Sequence, residues 1–237
     1  MKKTIYLSPT FSSLEEAQKV LSKEAFFLFD IHQVLFHCKG IVPVLQAFTK
    51  IKRKPKTFMQ GVKILFRPRT WKFFKQLYNQ GNHITESYLD VAQPYTPLHS
   101  ELLNFSNNIY KPHTGMYQLL AHLKQRHNLY LLSNIGNATL DRLKKEYPDY
   151  FALMTEDTNT INRHSEQGLV WKPQQKAYEQ AVMTIRKSNH MHYGNFVDDK
   201  RKNVEGAYKA GLNVIYFKSY QQFKNDVATL LGTTKFF

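Results

Sequence analysis

The chain has 237 residues, 42% of them hydrophobic, and carries 33 Lys and Arg against 18 Asp and Glu, a formal net charge of +15. That is enough sequence for one sizeable core plus an insertion, and its longest apolar runs fall far short of the roughly 20 residues needed to span a bilayer. The single cysteine, Cys38, leaves no internal disulfide to form and fits a reducing compartment such as the cytoplasm, where a lone cysteine is more often a small hydrophobe than a catalytic thiol.

The opening MKKTIYLSPTF is basic but has no apolar stretch behind it, so no secretory signal is expected. Residues 12–25 predict a helix. Ser12 with Glu15, or Ser13 with Glu16, fits a capping box, and Leu14, Ala17, Val20 and Leu21 form an apolar stripe. Residues 1–24 are therefore expected to form an N-terminal helical extension. The run AFFLF that follows is too short for a helix and reads as a strand buried on both faces, as in the middle of a parallel sheet. Asp30 ends it. In open α/β sheets ligands bind at the carboxyl ends of the strands, which makes this carboxylate a candidate for chemistry as well as an ordinary strand terminus.

The next convincing strand, NLYLL at residues 128–132, comes about a hundred residues later. A crossover between parallel strands needs only a dozen or more residues, so most of the interval reads as an inserted domain over residues 39–108. Val42, Leu45, Phe48 and Ile51, then Phe58, Val62 and Leu65, then Trp71, Phe74, Leu77 and Tyr78 recur at helical spacing between Pro55, Pro68 and Gly81. Helices are also expected over residues 85–93 and 98–108. Between Ile31 and Thr85 there is no Asp or Glu, while eleven Lys and Arg occur. Such a field attracts a multiply anionic small substrate, nucleic acid or an anionic membrane surface, and it also suits a solvated face with no partner.

From Pro112 helix and strand alternate regularly, which implies a parallel sheet with helices on both faces, a Rossmann-like α/β core built from residues 25–38 and 109–237. Met116, Leu119, Leu120 and Leu123 line a helix before NLYLL, and Ser133 and Asn134 stand just beyond that strand. A helix from near Asn137 carries Leu140, Leu143 and Tyr147, and residues 151–154 are expected to form a short strand. Lys172 and Pro173 open a helix with Tyr178, Ala181, Val182 and Ile185. Residues 195–197 form a strand running into Asp198 and Asp199, a helix closes at Gly211, residues 214–217 form the fifth strand, and the last helix ends at Gly232. Strand ends and nearby loops thus present Asp30, Ser133 with Asn134, Lys172, and Asp198 with Asp199. A carboxylate nucleophile, a hydroxyl, an ammonium and a carboxylate pair are parts for handling a phosphoryl group with Mg²⁺.

On these residues the sequence resembles the haloacid dehalogenase-like (HAD) hydrolase superfamily. FLFDIHQVL, LLSN, GLVWKPQQKAY and NFVDDKRKNVEGAYKAGLNVIYF look like its four motifs in order. The resemblance implies a HAD core with an α-helical cap in the insertion. It implies Asp30 as nucleophile, Ser133 and Asn134 as phosphate ligands, and Lys172 as organiser of charge. Mg²⁺ would be held by Asp30, the backbone carbonyl of His32, Asp198 and Asp199. One position departs from the pattern: phosphatases of this family carry a second aspartate two residues after the nucleophile as general acid and base, and this chain has His32. Three readings stay open: a Mg²⁺-dependent phosphate-monoester hydrolase, a metal-independent dehalogenase-type hydrolase, and a catalytically weak binding protein whose basic cap docks on an anionic partner.

Overall fold

A computed structural model of the chain describes residues 3–38, 110–135, 137–155, 170–188 and 192–233, together with Lys56 and Met59. The elements run β1 (Ile5–Tyr6), α1 (Leu14–Leu21), β2 (Ala25–Phe29), β3 (Phe36–Cys38), β4 (Tyr110–Pro112), α2 (Met116–Lys124), β5 (Asn128–Leu131), α3 (Asn137–Glu146), α4 (Pro148–Ala152), α5 (Gln175–Ser188), β6 (Tyr193–Asp198), α6 (Arg201–Lys209), β7 (Asn213–Tyr216) and α7 (Tyr220–Leu231). The helices and the basic charge expected over residues 39–108 lie outside the described residues, apart from Lys56 and Met59.

β2 is buried along its whole length, as its unbroken apolar run requires, and takes a central place in a sheet of order β1-β7-β6-β2-β5. It pairs in parallel with β5 and β6, and β6 pairs in parallel with β7. Alternate side chains divide between the two faces. Phe27, Phe29, Leu129, Leu131, Val197 and Ile215 pack with α1, α2 and α7, whereas Phe26, Leu28, Tyr130, Phe196 and Val214 pack with α5 and α6. Met116, Leu119, Leu120 and Leu123 are all buried, as the stripe on α2 predicted.

The N-terminal extension is more than a helix. Ile5 and Tyr6 pair antiparallel with Ile215 and Val214, adding an edge strand too short to show a period in the sequence. Of the two capping registers, the chain uses Ser13, whose hydroxyl accepts from Glu16 N at 3.2 Å, while the Glu16 carboxylate accepts from Ser12 N at 2.8 Å. Gln18 Nε2 donates to Thr229 O at 2.6 Å and ties α1 to α7.

The strand expected over residues 151–154 is corrected. Pro148 and Asp149 open a short helix that runs to Ala152, and Met154 N closes a turn onto Phe151 O at 3.0 Å. Proline's fixed φ and missing N–H suit a helix start, and this outweighs a four-residue apolar stretch. A second small sheet, β3 with β4, was not foreseen. Cys38 pairs with Tyr110, so the chain leaves and re-enters the core at one place. Gln33, in the loop between β2 and β3, has φ 60, the left-handed region that residues other than glycine seldom adopt. Its carbonyl accepts from the His113 ring at 2.9 Å.

Candidate active site

The parallel register fixes the site. Phe29 lies opposite Leu131 on one side and Val197 on the other, so Asp30 leaves β2 beside Asp198 and just before Ser133. Asp30 N donates to Val197 O at 3.0 Å and Leu132 N to Phe29 O at 2.9 Å, which holds the three strand ends together. The Lys172 loop reaches the same edge because α6 comes close: a Cβ on Gly206 would lie 2.6 Å from Pro173 O, so only glycine fits there.

Lys172 is 1% exposed, and its ammonium bridges two carboxylates, at 2.9 Å from Asp30 Oδ1 and 2.6 Å from Asp198 Oδ2. Burial acts to raise the Asp30 pKa, but the charge of Lys172, helped by His32, Lys200 and the Ser133 hydroxyl, outweighs it and holds the carboxyl below its ordinary value. Burial acts to lower the Lys172 pKa, and Asp198 and Asp30 together raise it above the usual lysine value. The pair is therefore ionised at neutral pH, a carboxylate beside a fixed positive charge.

Asp198 and Asp199 stand in different surroundings. Both Asp198 oxygens accept from Asn203 Nδ2, at 3.0 and 2.9 Å; Oδ1 also accepts from Lys200 N at 2.8 Å and Oδ2 from Lys172. Three donors make these four contacts and tie Asp198 to Lys172 and to the first turn of α6. Asp199 Oδ1 is buried with no hydrogen-bond partner among the described residues. Burial, then the charges of Asp30 and Asp198, push the Asp199 pKa up to about 7.

Ligand oxygens of Asp30, Asp198 and Asp199 lie within 4.8 Å of one another. Three carboxylates gathered around the buried Lys172 ammonium make a strongly acidic cluster that a divalent cation would neutralise, and the Asp199 oxygen without a described partner offers it a hard ligand. The residues present fit Mg²⁺, with the carboxylates of Asp30, Asp198 and Asp199 gathered where they would hold it.

This arrangement predicts a pH effect. A carboxyl whose folded pKa is raised contributes stability below its unfolded value that is lost as pH rises through the folded value. In EDTA, Asp199→Asn should therefore gain on the parent protein between pH 5 and pH 8, by about 3 kcal/mol at most. Millimolar Mg²⁺ should reverse the order at pH 8. Thermal melts at the two pH values check this, and a pH-independent difference between the proteins would contradict it.

Ser133 Oγ is fully buried and makes no hydrogen bond among the described residues, close enough to Asp30 to help keep that carboxyl low. The Asn134 side chain donates to Lys172 O at 2.9 Å and accepts from Lys172 N at 3.1 Å, clamping the backbone that carries the ammonium. His32 is 6% exposed in the loop after Asp30, with Nε2 2.7 Å from Tyr110 Oη. Asn203 and Tyr110 were not singled out from the sequence. Asn203 lay five residues beyond Asp198, where the first turn of α6 turns back on the strand end; Tyr110 carried no local signal, since it meets His32 across 78 residues.

A parallel sheet with an aspartate after a central strand, a hydroxyl after its neighbour, a lysine from a loop and an aspartate pair after the third strand is the HAD-like fold. Among solved structures, YfnB of Bacillus subtilis, titled a HAD-hydrolase bound to magnesium, matches with a TM-score of 0.55 over 89% of this chain and 99% of its own, at 13% identity. A HAD family enzyme of Bacteroides thetaiotaomicron matches at 0.53 over 86% of this chain and 98% of its own, at 15% identity. The same enzyme in complex with magnesium and inorganic phosphate gives 0.50, over 84% and 96%, at 16% identity. At these identities the likeness is one of fold. No family model matches the sequence, and no curated protein matches it.

Proposed function

We propose that the protein is a Mg²⁺-dependent phosphate-monoester hydrolase that works through an aspartyl-phosphate on Asp30. The observation that supports this best is a buried, ionised Asp30 carboxylate 2.9 Å from the Lys172 ammonium and beside an Asp199 oxygen that has no partner among the described residues. The folds that match it include one titled as a complex with magnesium and inorganic phosphate.

On this reading Asp30 attacks phosphorus as the bond to the leaving oxygen breaks, and the electron pair departs with that oxygen. Lys172 and the Ser133 hydroxyl present donors to the phosphoryl oxygens, where charge builds in the transition state. Mg²⁺, held by Asp30, Asp199 and the His32 carbonyl, would supply Lewis-acid charge. Water then attacks the phosphorus and regenerates Asp30. A panel of phosphorylated metabolites assayed with Mg²⁺ and with EDTA tests the reading: Mg²⁺-dependent phosphate release supports it, and no release from any substrate contradicts it.

His32 should serve the two half-reactions unequally. Beside a divalent cation like charge disfavours the imidazolium, so the neutral ring can take a proton from the attacking water but has none to give a departing alkoxide. Aryl and acyl phosphates should therefore be turned over faster than alkyl phosphates, by about the 10² to 10⁴ that a general acid contributes. His32→Asp should raise alkyl-phosphate activity, and His32→Ala should slow dephosphorylation. Equal rates across leaving groups together with full activity of His32→Ala would contradict this.

The eleven Lys and Arg between Ile31 and Thr85 favour a substrate with several negative charges. An anionic membrane or nucleic acid is the macromolecular partner the same charge would attract. No helix among the described residues is long and apolar enough to cross a membrane, and the single cysteine fits the cytoplasm.

A further inference from the structure

We propose that the cavity between α5, the C-terminal end of α6 and the loop after β1 is a binding site for a small organic anion, an apolar body that carries one carboxylate, sulfonate or phosphate group. The inference goes beyond the hydrolase reading and does not depend on it. The cavity has a volume of about 530 Å³ and lies at the amino ends of β6 and β7, where Tyr193, Gly194 and Asn213 line it. Asp198 ends β6 five residues beyond Tyr193, about 17 Å away at about 3.3 Å per residue, so the cavity is separate from the candidate active site.

One wall is a single stripe of α5. Glu179, Val182, Met183 and Arg186 follow one another at the i, i+3, i+4 and i+7 spacing that shares a helix face. Ala210, Gly211 and Leu212, at the turn from α6 into β7, form a second wall. Gly211 has φ 84, and a Cβ there would meet nothing within 4 Å, so open space begins at this backbone. The loop after β1 forms the third wall and is pinned from within: Ser8 N donates to Asn213 Oδ1 at 2.8 Å, and Thr10 Oγ1 donates to Ser8 Oγ at 2.9 Å. Ser8 and Asn213 are both buried, so this wall is built before any ligand arrives, as small-molecule pockets usually are.

The lining fits one class of ligand. Its middle is apolar, with Val182, Leu212 and Met183, the last 46% exposed although large and hydrophobic. A flexible thioether adapts to the shape of an apolar guest. One end is cationic. Arg186 and Lys187 both line it, and Arg186 Nη2 donates to His192 O at 2.9 Å, which holds the guanidinium at the rim and leaves it further donors for an anion. The one carboxylate among the described lining residues, Glu179, lies two turns away, about 10 Å along α5, and already accepts from Gln175 Nε2 at 2.8 Å. An anionic group at the Arg186 end with an apolar body over Met183 matches this polarity, whereas a cation there would meet two like charges.

The test uses the full chain with ¹³C-methyl methionine and anilinonaphthalenesulfonate as the probe. Phenylnaphthylamine, the same two aromatic groups without the sulfonate, is the neutral control. Loss of one signal each in Met183→Leu and Met116→Leu assigns these residues, and Met116, buried on the other face of the sheet, is the internal reference. The sulfonate should move the Met183 signal saturably and leave that of Met116 in place. Arg186→Gln combined with Lys187→Gln should raise the Kd read from Met183 about 10-fold for the sulfonate and leave that of the neutral control unchanged. Both side chains are exposed, so the double variant keeps the fold. A Met183 signal unmoved by the sulfonate up to its solubility limit overturns the proposal. So does a Kd for the sulfonate that is the same in the double variant as in the parent, or no tighter than that of the neutral control.

Discussion

Lys172→Met should destabilise the fold by about 3–5 kcal/mol and slow phosphoryl transfer by about 10² to 10³. Methionine keeps most of the side-chain volume and its contact with Phe196, over whose ring the ammonium now sits at 5.2 Å. What is lost is the charge between Asp30 Oδ1 and Asp198 Oδ2, in a place where Lys172 is 1% exposed and water cannot take over. Breaking a buried pair leaves its partner uncompensated, which costs far more than breaking a pair at the surface.

The pH dependence has a definite sign. Without the ammonium both carboxyls move up in pKa, and protonation below that value relieves their repulsion, so the variant's deficit should be larger at pH 8 than at pH 5. Urea unfolding at the two pH values measures it. A deficit below about 1 kcal/mol, or turnover within a few-fold of the parent, would mean that Lys172 neither holds the strand ends together nor faces the reacting phosphate.

Asp30→Asn should remove turnover, by on the order of 10⁴ or more, while leaving the fold intact. The amide matches the carboxylate in shape but has no lone pair able to attack phosphorus. Because the fold holds the Asp30 carboxyl below its ordinary value, its charge stabilises the fold at neutral pH, so the metal-free variant should melt somewhat below the parent while staying folded, since Lys172 keeps Asp198 at 2.6 Å. A variant that kept turnover would move the nucleophile elsewhere, and one that unfolded would make Asp30 a structural residue.

Most of the site was legible because each strand that carries it is a compact apolar run ended by its polar residue. AFFLF stops at Asp30 and NLYLL at Ser133, and the apolar Phe196 and Val197 run into Asp198, so strand and site could be read together. The different surroundings of Asp198 and Asp199 were not legible. They depend on which oxygens Asn203, Lys200 and Lys172 occupy, a matter of register and of where α6 begins. The clamp of the Asn134 amide on the Lys172 backbone 38 residues away was not legible for the same reason, since nothing local shows it. The short elements failed differently. β1 has two residues and β3 and β4 three each, too few to show an alternation, and they exist because β7 and each other offer an edge to pair with.

The central claim is that Asp30 carries the phosphoryl group during turnover. Acid quench of the protein mixed with an aryl phosphate and Mg²⁺, followed by proteolysis and mass measurement, should find one phosphoryl group on the peptide containing Asp30, labile to mild base. It should be absent in Asp30→Asn. Phosphate release from the parent with no adduct on that peptide at any quench time, or the same adduct in Asp30→Asn, would contradict the account.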